Sequence, residues 1–255
     1  MPISDKAATL LALHTDPELL VVVNVWDVIT AKVVADLPGC KALATASHSI
    51  AASAGFPDGE AIPLDEMITA VGRIAAATTL PVSADLEAGY GDPGEAVRRA
   101  LAVGIVGANL EDQMRPLADS VTAVEAAIKA GGDSGFVLNA RTDAFLKAGD
   151  RDLVDVIADA IERGRAYLDA GAACVFVPGK LDRNTVEQLI DGLGVRTLSV
   201  IAVPGSLPLA ELAELGVARV SFGPFTQRLA LTALADAGAA MLAGGSLPDG
   251  VRPLN

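Results

Sequence analysis

The sequence predicts an α/β protein built as a (β/α)8 TIM barrel, and three observations carry that expectation. Short apolar runs recur eight times along the 255 residues. Longer amphipathic stretches separate them. Polar side chains cluster at the C-terminal ends of the runs. Nearly continuous apolar runs suit parallel strands that are buried on both faces. Eight such strands alternating with helices in about 250 residues match the size of that barrel.

In chain order the predicted strands are Val21–Val25, Ala42–Thr45, Pro81–Asp85, Val106–Leu110, Phe136–Ala140, Cys174–Val177, Leu198–Ala202 and Ala218–Phe222. The intervening segments carry helical signatures. After Pro63, the residues Leu64, Met67, Ile68, Val71, Ile74 and Ala75 fall on one helical face. Asp92-Pro93-Gly94-Glu95 supplies an N-cap, a proline at the first helical position and a capping-box acid. Leu153, Ile157, Ile161 and Leu168 stripe a further helix that Gly171 ends. A last helix runs from about Pro224 to Leu242, ahead of a short Gly/Pro tail. The competing architecture is a doubly wound open sheet. That fold would place Gly-x-Gly-x-x-Gly after the first strand, where Asn24-Val25-Trp26-Asp27 stands instead. No Walker-type loop occurs either. No linker or composition shift divides the chain, so the expectation is one barrel domain over residues 1–255.

Composition narrows the function. Lys plus Arg number 19 against 32 for Asp plus Glu, a formal net charge of −13. Nucleic acids and anionic membranes need a basic face, so neither is an expected partner. The start, Met-Pro-Ile-Ser-Asp-Lys, lacks the basic and apolar segments of a signal peptide. Its two cysteines, Cys40 and Cys174, form no zinc motif or disulfide framework and read as reduced thiols, which makes the expected location cytoplasmic.

Barrel chemistry belongs at the C-terminal ends of the strands. There the sequence places Asn24, Trp26 and Asp27; Ser47, His48 and Ser49; Asp85 and Glu87; Glu111, Asp112 and Gln113; and Asn139, Arg141 and Asp143. Asp85 and Glu87 are two apart and point the same way in an extended segment, while Glu111 leaves the adjacent strand. Three converging carboxylates suit a hard divalent ion, Mg²⁺ first and Mn²⁺ second. They equally suit turns and helix caps. Arg141 can grip a carboxylate or phosphonate bidentately, or pair with Asp143, Glu111 or Asp112. His48 reads either as a site base or as a hydrogen-bonded loop residue. Trp26 reads as packing at the rim, and His14 takes no role.

Five segments together resemble one family. They are Asn24-Val25-Trp26-Asp27, Ala52 through Gly59, Asp85-Leu86-Glu87-Ala88-Gly89-Tyr90-Gly91, Leu110-Glu111-Asp112-Gln113 and Asn139-Ala140-Arg141-Thr142-Asp143. In this order they are similar to the isocitrate lyase/phosphoenolpyruvate mutase superfamily, and most to its smaller phosphoenolpyruvate phosphonomutase-like members. The resemblance implies a barrel whose last helix is exchanged between subunits of a homodimer or homotetramer. It implies Mg²⁺ held by Asp85, Glu87 and Glu111, partly through water, with Asp58 nearby. It implies an oxyanion hole around Ala46 and Ser47, and Arg141 as the arginine that takes the substrate carboxylate, beside Asn139. The implied substrates are small 2-oxo or 2-hydroxy acids.

The departures shape the expected reaction. Isocitrate and methylisocitrate lyases carry a cysteine-bearing loop after strand four, whose thiol is the acid. Here that loop reads Gln113-Met114-Arg115-Pro116-Leu117. The stretch Met114 to Val121 is short for a lid. Phosphoenolpyruvate mutases carry a gating-loop lysine and an aromatic residue on strand two, where Gln113 and Ala44 stand. The expected activity is therefore a Mg²⁺-dependent lyase that breaks a C–C bond, by decarboxylation or aldol-type cleavage, through a pyruvate-like enolate. In the aldol case His48 is the candidate base. Phosphonopyruvate mutase or hydrolase chemistry at a P–C bond, and a barrel that binds a 2-oxo acid without turning it over, are the alternatives.

Overall fold

The protein is described by a computed structural model that covers residues 2–254. Helix α1 (Ile3–Thr15) leads into β1 (Leu20–Val25) and α2 (Val28–Ala35). Then come β2 (Leu43–Thr45), α3 (Ser47–Ser53), α4 (Leu64–Ala76), β3 (Val82–Asp85) and α5 (Pro93–Ala102). The middle holds β4 (Gly107–Glu111), α6 (Leu117–Gly131), β5 (Val137–Arg141) and α7 (Leu153–Asp169). The chain finishes with β6 (Cys174–Val177), α8 (Arg183–Leu193), β7 (Leu198–Ile201), α9 (Leu209–Leu215), β8 (Arg219–Ser221) and α10 (Phe225–Leu242). The strands close in sequence order, β1 to β8, and β1 pairs in parallel with β8. This is the predicted (β/α)8 barrel.

The strands form where the apolar runs are because both faces are covered. Outward side chains such as Val82, Ala108, Leu138 and Val175 meet the helices and are buried. Two boundaries differ from expectation in a way that matters. Strands β4 and β5 each end one residue later than predicted, so Glu111 and Arg141 are the last strand residues and pair in register. Ser47 to Ser49 do not form a simple loop but open α3.

Helix α4 buries the expected face, Met67, Ile68, Val71, Ile74 and Ala75. Asp92 caps α5, its Oδ1 accepting from the Glu95 N–H at 2.9 Å. The Glu95 carboxylate pairs with Arg98 instead of reaching back to complete a capping box. Helix α7 keeps most of the predicted stripe on the core: Ile157 is buried, Ile161 and Leu168 pack against it partly buried, and only Leu153 is exposed. Its buried face also includes Val156, Ala160, Gly164 and two polar side chains, Arg163 and Tyr167, which have partners inside the fold.

Helix α1 covers the N-terminal ends of the central strands. Leu10 packs against Leu20, Val22, Val106 and Val137, and reaches Gly107, where a Cβ would lie 2.7 Å from the Val137 carbonyl oxygen. Above this floor the barrel interior is polar. Asn139 Nδ2 donates to Asn109 Oδ1 at 2.8 Å and to Ser199 Oγ at 3.3 Å. Arg219 is 1% exposed and donates to Ser83 Oγ at 3.2 Å; burial lowers its pKa to about 10. Among the described residues no carboxylate pairs with it.

At the other end of the chain, α10 barely touches the barrel. Gln227, bonded to Ser49 O and Ser53 Oγ, is its one buried residue. Leu229, Leu231, Leu234 and Leu242 stand in solvent. Among the described residues no helix is long and apolar enough to cross a membrane.

His14, at the end of α1, gives the fold a pH dependence. Its Nδ1–H donates to the Leu10 carbonyl at 2.8 Å, and the ring is buried. Burial, with the nearby Arg219 charge, lowers its pKa from 6.5 to about 4. The unfolded chain therefore binds the extra proton first as pH falls. The contribution of neutral His14 is complete above pH 6.5 and is lost as pH falls towards 4, a change of about 3 kcal/mol. Chemical denaturation of His14→Gln and the parent across pH 7.5 to 3.5 is expected to show a shallower loss of stability in the variant.

Candidate active site

Four neighbouring strand ends assemble the polar cluster. Thr45 closes β2, Asp85 β3, Glu111 β4 and Arg141 β5. The parallel register aligns them: Asp85 lies beside Asn109, Asn109 beside Asn139, and Glu111 beside Arg141. Inward residues alternate along each strand, so Asp85, Glu111 and Arg141 are the last inward residues of β3, β4 and β5, and Ser83, Asn109 and Asn139 precede them by two on the same strands.

Asp85 is fixed from both sides. Its N–H donates to Thr45 Oγ1 at 2.9 Å. Its Oδ2 accepts from the Ser47 N–H at 3.1 Å and the Ser47 hydroxyl at 2.8 Å. Ala46 is extended and sits at the N-cap of α3, so the N–H groups that follow it turn into the mouth. The Ser47 N–H, expected in an oxyanion hole, is here held by Asp85.

Glu87 follows with a left-handed φ of 51°. Its carbonyl accepts from the Glu111 N–H at 2.7 Å, which joins the β3 and β4 ends. Its carboxylate accepts from the Glu60 N–H and, at 3.3 Å, from the Tyr90 hydroxyl. Burial, then the charges of Asp85 and Asp58, push its pKa to about 7 against the Glu60 hydrogen bond. Asp58 is solvent-exposed on the loop before α4 and acts on Glu87 through its charge.

Glu111 and Arg141 form a buried pair, Nη1 to Oε2 at 2.8 Å, and Arg141 Nε donates to Asp143 Oδ1 at 2.7 Å. Burial outweighs the Arg141 charge and, with Asp143 and Asp85, raises Glu111 to about 7. The same carboxylates hold the Arg141 guanidinium charged against its own burial.

The structure thus brings Ser47, Asp85, Glu87, Glu111 and Arg141 together. Asn139 lies lower, 1% exposed, with its amide committed to Asn109 and Ser199. His48 is half-buried as the second residue of α3; its Nδ1 is buried without a hydrogen-bond partner among the described residues. Asp27 caps α2 in a reciprocal box with Thr30, and Trp26 packs on the core at the rim. The segment after β4 is tighter than the expected loop, because α6 is already helical from Leu117. Both cysteines are free thiols. Burial raises Cys174 to about 12 and shifts Cys40 upward, and neither lies on the β4 loop.

Sequence reading missed Asp112, Arg163 and Tyr167 as a connected group. Asp112 Oδ2 accepts from the Tyr167 hydroxyl at 2.8 Å and from Arg163 Nη1 at 3.3 Å. The signal was present in the polar members of the α7 stripe, yet the partners are 51 and 55 residues apart in the chain.

A cation fits the chemistry of the acids but not their present poses. Among the described residues no three of His, Cys, Asp or Glu are arranged to hold a metal ion. Each acid instead faces a protein donor: Asp85 faces Ser47, Glu87 faces Glu60 and Tyr90, and Glu111 faces Arg141. All donors are oxygens, and Asp85 adds to the upward shift of both Glu87 and Glu111, the repulsion a hard divalent ion relieves.

A closed parallel barrel with acids and one arginine at its C-terminal mouth defines the chain as a TIM-barrel protein. The chain belongs to the phosphoenolpyruvate mutase/isocitrate lyase superfamily: the family model described as phosphoenolpyruvate phosphomutase matches residues 10–242. A Burkholderia cenocepacia J2315 crystal structure, provisionally named a phosphonomutase, superposes with a TM-score of 0.87 at 36% identity, covering 96% of this chain and 100% of that one. The 2-methylisocitrate lyase of Escherichia coli K12 is 30% identical over 201 residues, 72% of this chain and 66% of that enzyme. Oxaloacetate acetylhydrolase in complex with its product oxalate superposes with a TM-score of 0.87 at 26% identity, covering 99% and 92%. Members of this superfamily are C–C lyases, hydrolases or mutases acting on small 2-oxo or 2-hydroxy acids, and they are typically Mg²⁺-dependent.

The Arg141 ion pairs carry a stability consequence. Removing one partner leaves two buried carboxylates uncompensated, at a cost of about 3 kcal/mol. Arg141→Met is expected to lower denaturant stability by that order at pH 8, whether or not any substrate is present.

Proposed function

We propose that the chain is a Mg²⁺-dependent lyase that breaks a C–C bond of a small 2-oxo or 2-hydroxy dicarboxylic acid through a pyruvate-like enolate. The observation that carries this reading is the Asp85–Glu111–Arg141 mouth beside a β4 loop that has no thiol. Decarboxylation needs no protein acid on the leaving group, because CO₂ departs unprotonated. The bonding pair stays on carbon as the enolate, which then takes a proton to give pyruvate from an oxaloacetate-like acid.

In this reading Asp85, Glu87 and Glu111 hold the cation, which when bound supplies charge stabilisation for the enolate oxygen. With its carboxylate committed to the cation, Asp85 would no longer accept from the Ser47 N–H, and that N–H, at the Ala46–Ser47 turn, would be free to stabilise negative charge on the substrate keto oxygen, a type of contact worth about 3 kcal/mol in the barrier. Arg141 orients the substrate carboxylate, with Asp143 holding its Nε edge. Glu111, already beside Arg141, keeps the arginine turned into the mouth. His48 is the base if the substrate is a 2-hydroxy acid. Asn139 supports the floor of the site through Asn109.

One barrel domain carries this chemistry. We further read α10 as a helix that packs on a second copy of the chain in a homodimer or homotetramer, because its leucines are exposed on their own barrel. Phosphonopyruvate chemistry is the second reading, favoured by the phosphomutase description of the matching family. Gln113, where a lysine is expected, weighs against it.

Pyruvate release from oxaloacetate, methylisocitrate, a dimethylmalate and phosphonopyruvate tests the reading, with Mg²⁺ and with a chelator. Chelator-sensitive pyruvate from a carbon acid is expected, and Asp85→Ala is expected to lower the rate by more than about 100-fold. A fully active Asp85→Ala removes the metal assignment. Pyruvate from phosphonopyruvate alone, or a phosphorus NMR signal of rearranged product, moves the assignment to the second reading. Light scattering after size exclusion is expected to show a dimer or tetramer; a monomer at micromolar concentration overturns the reading of α10.

A further inference from the structure

Asp112 is 4% exposed and is hydrogen-bonded through its N–H and through both carboxylate oxygens. Its N–H donates to the Arg141 carbonyl at 3.0 Å. Its Oδ1 accepts from the Asp143 N–H at 3.0 Å and the Met114 N–H at 2.9 Å. Its Oδ2 accepts from the Tyr167 hydroxyl and Arg163 Nη1 of α7. Arg163 also donates to the Arg115 carbonyl at 3.0 Å.

The residue therefore brackets Arg141, holding its backbone on one side and that of Asp143, its side-chain partner, on the other. The bonds form a continuous path: Tyr167 to Asp112, Asp112 to Asp143, Asp143 to Arg141, Arg141 to Glu111. The strained start of the β4 loop is tied into the same point. Gln113 and Met114 both have left-handed φ angles, 51° and 56°, and Lys147 Nζ holds the Gln113 carbonyl at 2.9 Å. Buried carboxylates of this kind are costly unless fully hydrogen-bonded. An apolar pair would dock α7 without that cost, but only acceptor oxygens can fix two backbone N–H groups on adjacent loops.

We propose that Asp112, set by Tyr167 and Arg163, is the positioning residue for Arg141, so that α7 determines how the site grips a substrate carboxylate. The second clause rests on the proposed function; the first does not.

Two readouts on the full chain test it. One is the ¹H–¹⁵N signal of the Arg141 Nε–H group, assigned by its loss in Arg141→Lys. The other is the dissociation constant of oxalate, a planar dianion, measured by titration calorimetry with Mg²⁺ present. Tyr167→Phe removes one hydroxyl and keeps the ring in the core. It is expected to move or broaden the Nε–H signal and weaken oxalate by about tenfold. Ile157→Val, which loosens the same helix without touching Asp112, is the control for general destabilisation and is expected to move neither.

An unchanged Nε–H signal in Tyr167→Phe overturns the positioning claim, as do equal changes in the two variants. A moved signal with unchanged oxalate affinity overturns the claim that α7 sets the grip. If the parent protein binds no oxalate, the substrate half falls with the functional reading, and the Nε–H signal still decides the first claim.

Discussion

The contact on which the mouth of this barrel depends is the buried pair between Arg141 and the two acids Glu111 and Asp143. It gathers the ends of β4 and β5 into one electrostatic unit. Burial pushes Glu111 towards its neutral form, and the guanidinium opposes that push. The geometry of the pair follows from register, because Glu111 and Arg141 are opposite each other across a parallel ladder. The barrel thus sets the backbone positions, and the charges decide which rotamers survive there.

Most of the architecture was legible in the sequence because two-sided burial leaves a plain mark. Strands such as Cys174–Val177 are apolar throughout, and in Val82–Asp85 only the small Ser83 interrupts the run before the acid at its end. The acids after them could be named for the same reason: a charge at the end of a buried run has to face either solvent or a site. Ends were less legible where a polar residue still pairs in the ladder. Glu111 and Arg141 look like loop in a hydropathy pattern, yet their backbones complete β4 and β5. Helix α3 escaped notice because its seven residues are too few to show a helical stripe, with Ile50 and Ala51 on the core beside the polar Ser47 and Ser49.

The arrangement around Asp112 shows a different limit. Arg163 and Tyr167 sit on the inner face of α7, where periodicity assigns only apolar side chains. Their reason for being inside lies on another strand, and no local pattern reports a contact across that span. The superfamily resemblance supplied the acids and the arginine as candidates. It did not supply the support beneath them, nor the hydrogen bond from the Ser47 N–H to Asp85. The β4 loop has no thiol and is anchored at Asp112 and Lys147.

Arg219 lies below that mouth, a guanidinium in the barrel interior without a carboxylate partner among the described residues. Arg141, above it, is already compensated by Glu111 and Asp143, so Arg219 is the positive charge that stays sealed in the wall of a molecule whose formal charge is −13. Its field and that of Asp85 act on each other through protein rather than through water. Added salt weakens the charges of the outer surface within a Debye length but hardly reaches such an enclosed pair. The electrostatics of the mouth are therefore set from within and are largely indifferent to the ionic strength outside.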